Sequence, residues 1–163
     1  MALHEHWAQR YKEAVVEDLG WGFEVDGDGD LKLDDGEYRF FINDTAAGDP
    51  EYLDLFCLFS RPEGVPDDKL AEILRERTER MKGAKLLATT DGTGLIATIG
   101  IFAAGKDQLP TREHIAAVLP RLRQVLLEAV KTTFRQIDEL QRGADVTPGE
   151  LREAATNTVP KIP

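Results

Sequence analysis

The stretch Tyr52–Phe59 reads Tyr-Leu-Asp-Leu-Phe-Cys-Leu-Phe, and this stretch decides the fold. Seven of its eight residues are apolar or aromatic, and the run is too short for an independent helix. Turn-forming residues bound it, with Asp49-Pro50 before it and Pro62 and Gly64 after it, which predicts a strand. Side chains alternate along a strand, so one face carries Leu53, Leu55, Cys57 and Phe59, and the other carries Tyr52, Phe56 and Leu58 beside Asp54. A strand that is apolar on both faces belongs in the middle of a sheet that is covered on both sides.

The composition is that of a folded, acidic protein. The chain has 163 residues, of which 42% are apolar and 31% are charged, and its formal net charge is −10 at pH 7. Length and composition predict one globular domain. No apolar run approaches the ~18 residues of a membrane span, and Met1–Arg10 is too polar for a signal peptide. The single cysteine favours a reducing cytoplasm, and the negative charge disfavours nucleic acid and anionic membranes as partners.

Apolar periodicity predicts three helices and two groups of strands. Steps of three or four residues predict one helix over His4–Leu19 and another over Pro66–Lys82. They also predict a long third helix that Thr111 caps and Gly143 ends. Apolar runs between Asp-Gly turns predict strands at Trp21–Val25, Tyr38–Ile42, Tyr52–Phe59, Lys85–Thr90 and Gly94–Ala103. Whether Leu31–Leu33 forms a separate strand stays open at this point. Pro120 is expected to kink or split the long helix because it removes a backbone donor.

The predicted order of elements is α-β-β-β-α-β-β-α. Its short connections require most neighbouring strands to run antiparallel. The fold class is therefore α+β: an antiparallel sheet of about five strands flanked by helices, with a C-terminal helical tail. Residues 1–143 are predicted to form the single domain. Residues 144–163 are predicted to form a C-terminal extension, with a short helix capped by Thr147 and a flexible end.

The acidic stretch Asp26–Glu37 is the sharpest candidate for a ligand site. Counted as a calcium loop, it places Asp26, Asp28, Asp30 and Glu37 at the four main carboxylate positions and Asp34 at the ninth. The sixth position, where a sharp bend requires glycine, is Leu31. The flanking segments are predicted strands, whereas a calcium-binding EF-hand has helices there. We interpret the stretch as two solvated hairpin turns and keep a calcium-responsive binding module as the alternative.

The sequence contains no catalytic constellation. Ser60 is its only serine and Cys57 its only cysteine, and Cys57 lies in the predicted central strand, where a small buried residue is expected. The three histidines, His4, His6 and His114, form no ligand cluster with cysteine. The chain is therefore predicted not to be an enzyme. We expect no catalytic, cofactor-binding or metal-binding residue and no cofactor.

Two helix surfaces carry the basic residues that nucleic-acid binding would need. These cations are Arg75, Arg77, Arg80 and Lys82 near the second helix, and Arg121, Arg123, Lys131 and Arg135 on the long helix. Acidic residues interleave with both sets, including Glu76, Glu79, Glu128 and Asp138. Both surfaces are typical of ordinary solvated helices, so direct nucleic-acid binding is disfavoured.

Several local patterns together resemble the bacterial YbjN-type proteins of the type III secretion chaperone-like fold. They are Leu19-Gly20-Trp21 at the end of the first helix, the Asp-Gly-rich turns, Tyr52–Phe59, and the Pro66–Lys82 helix before a hairpin. With the element order, the size and the acidity, the resemblance covers roughly His4–Arg142. It implies a cytoplasmic homodimer without chemistry of its own. Secretion chaperones of this fold hold an extended stretch of a client along exposed apolar surface.

The function predicted from the sequence is that of a non-enzymatic adaptor or chaperone-like homodimer that binds another protein. Many YbjN-type proteins occur without a secretion apparatus, so the resemblance implies partner-protein binding rather than secretion. Three helices on one face of a sheet would leave its other face open, yet Tyr52–Phe59 and Leu95–Phe102 are apolar on both faces. A symmetric dimer or a client is expected to bury the second face.

Overall fold

Six antiparallel strands form one sheet in the computed structural model, which describes residues 3–43 and 49–144. The strands are β1 (Gly22–Val25), β2 (Leu31–Asp34), β3 (Arg39–Ile42), β4 (Tyr52–Ser60), β5 (Ala84–Ala88) and β6 (Gly94–Phe102). Their order across the sheet is β1-β2-β3-β4-β6-β5. The helices are α1 (Leu3–Lys12), which continues as a π-helical segment (Glu13–Asp18), α2 (Asp67–Arg80) and α3 (Arg112–Ala144). The predicted α+β class is confirmed.

The sixth strand is β2, whose existence the sequence left open. Leu31 pairs with Val25 of β1 on one side and with Ile42 of β3 on the other. Leu31 and Leu33 are fully buried, so β2 contributes to the core as a true member of the sheet.

Strand β4 lies inside the sheet, as its sequence predicts. It pairs with β3 through Phe56–Phe41, and with β6 along its whole length, from Tyr52–Phe102 to Ser60–Gly94. The inward side chains Leu53, Leu55 and Cys57 of β4 are buried, and Phe59 on the same face is half-buried.

The helices pack on one face of this sheet. α3 contacts β4, β5 and β6, and α2 contacts β5. The inward side chains of the strands and the apolar side chains of the helices form one core. Its fully buried large side chains include Trp7, Tyr11, Phe40, Leu53, Leu55, Leu95, Ile115 and Leu119. Within the described residues, no helix covers the opposite face. The sequence predicts that both faces of the sheet are covered. In the described residues, the helices of the chain cover one face only.

The first helix ends where the sequence predicts, just before Gly20, but its last turns are π-helical. The α-helical hydrogen bonding stops at Lys12, and the π-helical segment then places the Leu19 N–H 3.1 Å from the Ala14 carbonyl oxygen. Gly20 follows with a φ of +69°, a left-handed conformation that glycine adopts without steric cost and that commonly ends helices.

The boundaries of α2 and α3 agree closely with the sequence. Pro66 immediately precedes α2, and the Thr111 hydroxyl accepts a hydrogen bond of 3.1 Å from the His114 N–H at the start of α3. Pro120 lies inside α3 and does not split it. The helix continues to Ala144, one residue past the predicted stop at Gly143. The predicted Thr147-capped helix lies outside the described residues, and the domain boundary at residue 143 stays a prediction.

Candidate functional site

The sheet face opposite the helices is the candidate functional site, and we call it the open face. Its outward side chains on β3 to β6 include Phe41 of β3, Tyr52, Asp54, Phe56 and Leu58 of β4, Ile96, Thr98 and Phe102 of β6, and Lys85 and Leu87 of β5. On β1 and β2 the same face continues with the charged Glu24, Lys32 and Asp34. The exposed fraction of the residue is 52% for Leu58, 51% for Leu87 and 73% for Phe102. Exposed large apolar side chains grouped on one face make the open face a candidate interaction surface.

Cross-strand pairing gathers these apolar side chains into two clusters. Phe41 and Phe56 stack with ring centroids 5.3 Å apart, and Leu58 pairs across the strands with Ile96, which pairs with Leu87 on the other side. At the other end of β4, the rings of Tyr52 and Phe102 meet edge to face at 5.2 Å. Each aromatic pair adds roughly 0.5–1.5 kcal/mol beyond simple burial, which favours this arrangement of the rings.

A polar group separates the two clusters, and its hydrogen bonds are satisfied within the chain. Asp54 accepts a bond of 2.8 Å from the Asn43 side-chain amide and one of 2.6 Å from the Thr98 hydroxyl. Since both carboxylate oxygens already have donors, an apolar surface can cover Asp54 without leaving either oxygen unpaired.

Gly100 lets Tyr52 lie flat on the open face. It pairs with Asp54, next to the Tyr52–Phe102 pair, and a Cβ at this position would overlap the Tyr52 hydroxyl. A glycine inside a strand commonly marks such a close approach. The tyrosine ring therefore covers the backbone of Gly100, which any residue with a side chain at this position would prevent.

The acidic stretch Asp26–Glu37 does not form one ligand cage. Strand β2 runs through it and spans roughly 10 Å, so Asp26 and Glu37 lie beyond opposite ends of that strand. The Asp26 carboxylate accepts bonds from the N–H groups of Asp28 (2.9 Å) and Asp30 (3.1 Å), which is a turn-stabilising arrangement. No group of three or more metal-ligating side chains occurs in the part of the chain that the structure describes. The interpretation as two hairpin turns is the one that the geometry supports.

The second acidic turn fastens the long helix to the sheet. Asp35 accepts hydrogen bonds from the N–H groups of Glu37 (2.8 Å) and Tyr38 (2.7 Å) and from the Arg123 guanidinium of α3. Arg123 also contacts Glu37 at 3.1 Å. Burial alone would raise the pKa of Asp35, but the bonds from Tyr38, Arg123 and Glu37 outweigh it and hold that pKa below its ordinary value. This contact helps to keep α3 on the inward face.

Among the residues that the structure describes, neither candidate nucleophile has a hydrogen-bonded imidazole or carboxylate. Cys57 is buried in β4 on the inward face, where burial raises the pKa of its thiol to about 12, so it carries no thiolate at neutral pH. Ser60 ends β4 at the exposed edge, and the described side chains of His6 and His114 lie on the surface of α1 and α3. The expectation that the chain has no catalytic residue stays a prediction.

The structure brings parts of the two basic helix surfaces together. Arg77 and Arg80 of α2, Lys82 just beyond it, and Arg121 of α3 line one groove, whereas Arg75, Arg123, Lys131 and Arg135 do not. Sequence reasoning treated the two surfaces separately because they are about forty positions apart, and no local signal joins them.

Comparison with solved structures supports the predicted fold. The chain is similar to one chain of the HopA1–SchA chaperone–effector complex, with a TM-score of 0.52 and 18% identity over 77% of this chain and 93% of that one. It is also similar to YbjN from E. coli, with a TM-score of 0.49 and 19% identity over 84% of this chain and 90% of that one. At such identities the likeness concerns the fold alone, and the first of these two comparisons confirms the predicted fold. The sequence matches no protein-family model and no curated protein sequence. No described helix is long and apolar enough to cross a membrane.

Proposed function

We propose that this chain is a non-enzymatic adaptor or chaperone-like protein that binds another protein, and that it acts as a homodimer joined through the open face. The observation that carries the proposal is the apolar exposure of Leu58, Leu87 and Phe102 on a sheet whose other face is filled by helices. The occurrence of a similar fold in a chaperone–effector complex supports a protein as the partner.

The size of the open face permits a small interface with a second copy of the chain. β4 and β6 are nine residues long, which is ~30 Å, whereas β3 has four residues and β5 has five, which is ~15 Å each, and the strands lie ~4.8 Å apart. Two such faces would bury roughly 900 Å² together, close to the ~1,000 Å² that separates specific interfaces from chance contacts. A two-fold axis through the face would bring the same apolar clusters of both copies together, as an isologous dimer requires.

The electrostatics of the open face also favour an apolar partner. Asp54, the acidic side chain between the two clusters, is already hydrogen-bonded by Asn43 and Thr98. Lys85 lies at the β5 edge, where the rim of an interface is hydrated. The buried, free Cys57 suits a reducing cytoplasm, which is the compartment that we propose. We also propose that residues 1–143 form the single domain and that residues 144–163 form an extension.

A matched pair of variants tests the dimer. Leu58→Asp places a charge on the open face, and Leu140→Asp places the same charge on α3, where the leucine is similarly exposed at 46%. We expect Leu58→Asp to sediment as a folded monomer while Leu140→Asp keeps the mass of the wild type, because only the first charge would be buried between copies. Phe56→Asp is expected to behave like Leu58→Asp, with circular dichroism as the check of folding. Equal masses for the Leu58 and Leu140 variants would refute the open face as the dimer interface.

A further inference from the structure

A groove lies between the end of α2 and the middle of α3, on the side of the molecule away from the open face. Its volume is about 450 Å³. Its floor includes Ala84, the first residue of β5, whose side chain is buried on the inward face of the sheet. A ligand in this groove and a second copy on the open face would therefore occupy opposite sides of the sheet.

The rim of the groove is basic although the chain as a whole is acidic. Arg77, Arg80, Lys82 and Arg121 line it together with one acidic residue, Glu128. Arg80 forms an ion pair of 2.9 Å with Glu76. Among the residues that the structure describes, Arg77, Lys82 and Arg121 have no carboxylate partner, and Arg77 instead donates a hydrogen bond to Gln136. Lys82 and Arg121 are thus free to bind an anion from outside, and Arg77 still has the terminal N–H groups of its guanidinium to donate.

The floor of the groove is aliphatic rather than aromatic. Met81, Val125 and Ala129 line it together with Ala84, and no aromatic residue does. Proteins that bind single-stranded nucleic acid stack the bases on aromatic side chains, and this groove offers none. Carboxylates beside aliphatic side chains match both the cationic rim and the apolar floor.

We infer that this groove docks an acidic segment of the partner protein, with the partner's carboxylates on Arg77, Lys82 and Arg121 and an aliphatic side chain against Val125. The inference rests on the proposed function, because it names the chemistry of the partner that the adaptor binds. The net charge of −10 repels an acidic peptide from most of the surface, so the groove also directs the segment to one place.

Fluorescence anisotropy with a labelled, end-capped peptide that is rich in glutamate and contains two leucines tests the inference. The peptide is titrated with wild-type protein and with the double variant Lys82→Glu/Arg121→Glu, whose two positions are exposed and have no ion partner among the described residues. The matched control is Arg75→Glu/Arg135→Glu, which makes the same change of charge on α2 and α3 outside the groove. We expect the groove variant to bind at least about tenfold more weakly and the control to stay within about twofold. If the reversal variant does not fold, Lys82→Gln/Arg121→Gln replaces it, with an expected loss of about threefold.

Two further probes make the result specific. The same peptide with glutamine for glutamate is expected to lose most of its affinity, and a single-stranded oligonucleotide is expected to bind more weakly than the acidic peptide. The inference is overturned by the absence of saturable binding, by equal losses in groove and control variants, or by tighter, groove-dependent binding of the oligonucleotide. Light scattering on the same samples separates the two proposals: a dimer that does not bind the peptide refutes only the groove, and a monomer that binds it refutes only the dimer.

Discussion

Replacing Asp35 with asparagine is expected to destabilise the fold by about 2 kcal/mol. The Asp35 side chain is only 3% exposed, and it joins the turn between β2 and β3 to Arg123 of α3. Asparagine keeps an oxygen for the N–H groups of Glu37 and Tyr38 but removes the negative charge that Arg123 contacts. A hydrogen bond to a charged group contributes about 1.5–3 kcal/mol, and the remaining contact between Arg123 and Glu37 limits the loss.

Asp34→Asn is the matched control in the same turn. The Asp34 side chain is 47% exposed, and its carboxylate lies 3.7 Å from Arg39, which is also exposed. Its bond from the Gly36 N–H survives in asparagine. Since exposed ion pairs contribute between about 0 and 1 kcal/mol, this variant is expected to lose well under 1 kcal/mol.

Urea unfolding across pH, at one protein concentration, measures the charge contribution directly. The folded-state pKa of Asp35 lies below its ordinary value, so the ionised carboxylate stabilises the fold above the unfolded-state pKa of about 4. That stability is lost as the pH falls through the lower, folded-state pKa. The difference between wild type and Asp35→Asn is therefore expected to be largest near neutral pH and to shrink in acid. A difference that is the same at every pH at which both proteins fold, or an equal loss for Asp34→Asn, would refute this account of the contact.

Two further predictions concern residues for which the sequence offered alternative roles. Cys57 is expected to react with a thiol reagent only after unfolding, because burial raises its pKa to about 12; rapid labelling of the native protein would contradict its place in the core. Millimolar calcium is expected to leave the midpoint of thermal unfolding unchanged, because Asp26 and Glu37 lie beyond opposite ends of β2. A calcium-dependent rise in that midpoint would revive the alternative of a calcium-responsive module.

Local sequence patterns predicted the elements of this fold well. The apolar side chains on both faces of Tyr52–Phe59 correctly indicated that β4 lies inside the sheet, and Pro66 and Thr111 correctly indicated where α2 and α3 begin. These signals act over a few residues, through side-chain alternation, proline geometry and capping. The separate strand β2 was uncertain because its alternation extends over only four residues.

Long-range relations were beyond those local signals. The order of β4, β6 and β5 places the second arm of the last hairpin beside the central strand, which alternation alone does not specify. The contact between Asp35 and Arg123 joins positions 88 apart in the sequence. Likewise, Lys82 and Arg121 became a candidate site only when α2 and α3 were seen to border the same groove. The sequence predicted the open face, because two strands are apolar on both sides. It did not indicate that Asn43 and Thr98 form hydrogen bonds to Asp54 on that face.

The solution mass of the wild-type protein tests the central proposal most directly. Static light scattering over a dilution series, with chromatography in line, reports that mass without a label or a partner. The account predicts a stable species of twice the 18.2 kDa chain mass, because two open faces would bury each other's apolar clusters. A species of 18.2 kDa at all concentrations would contradict the homodimer. The exposed Leu58, Leu87 and Phe102 would then need a different occupant, and the dimeric adaptor would be withdrawn as the proposed function.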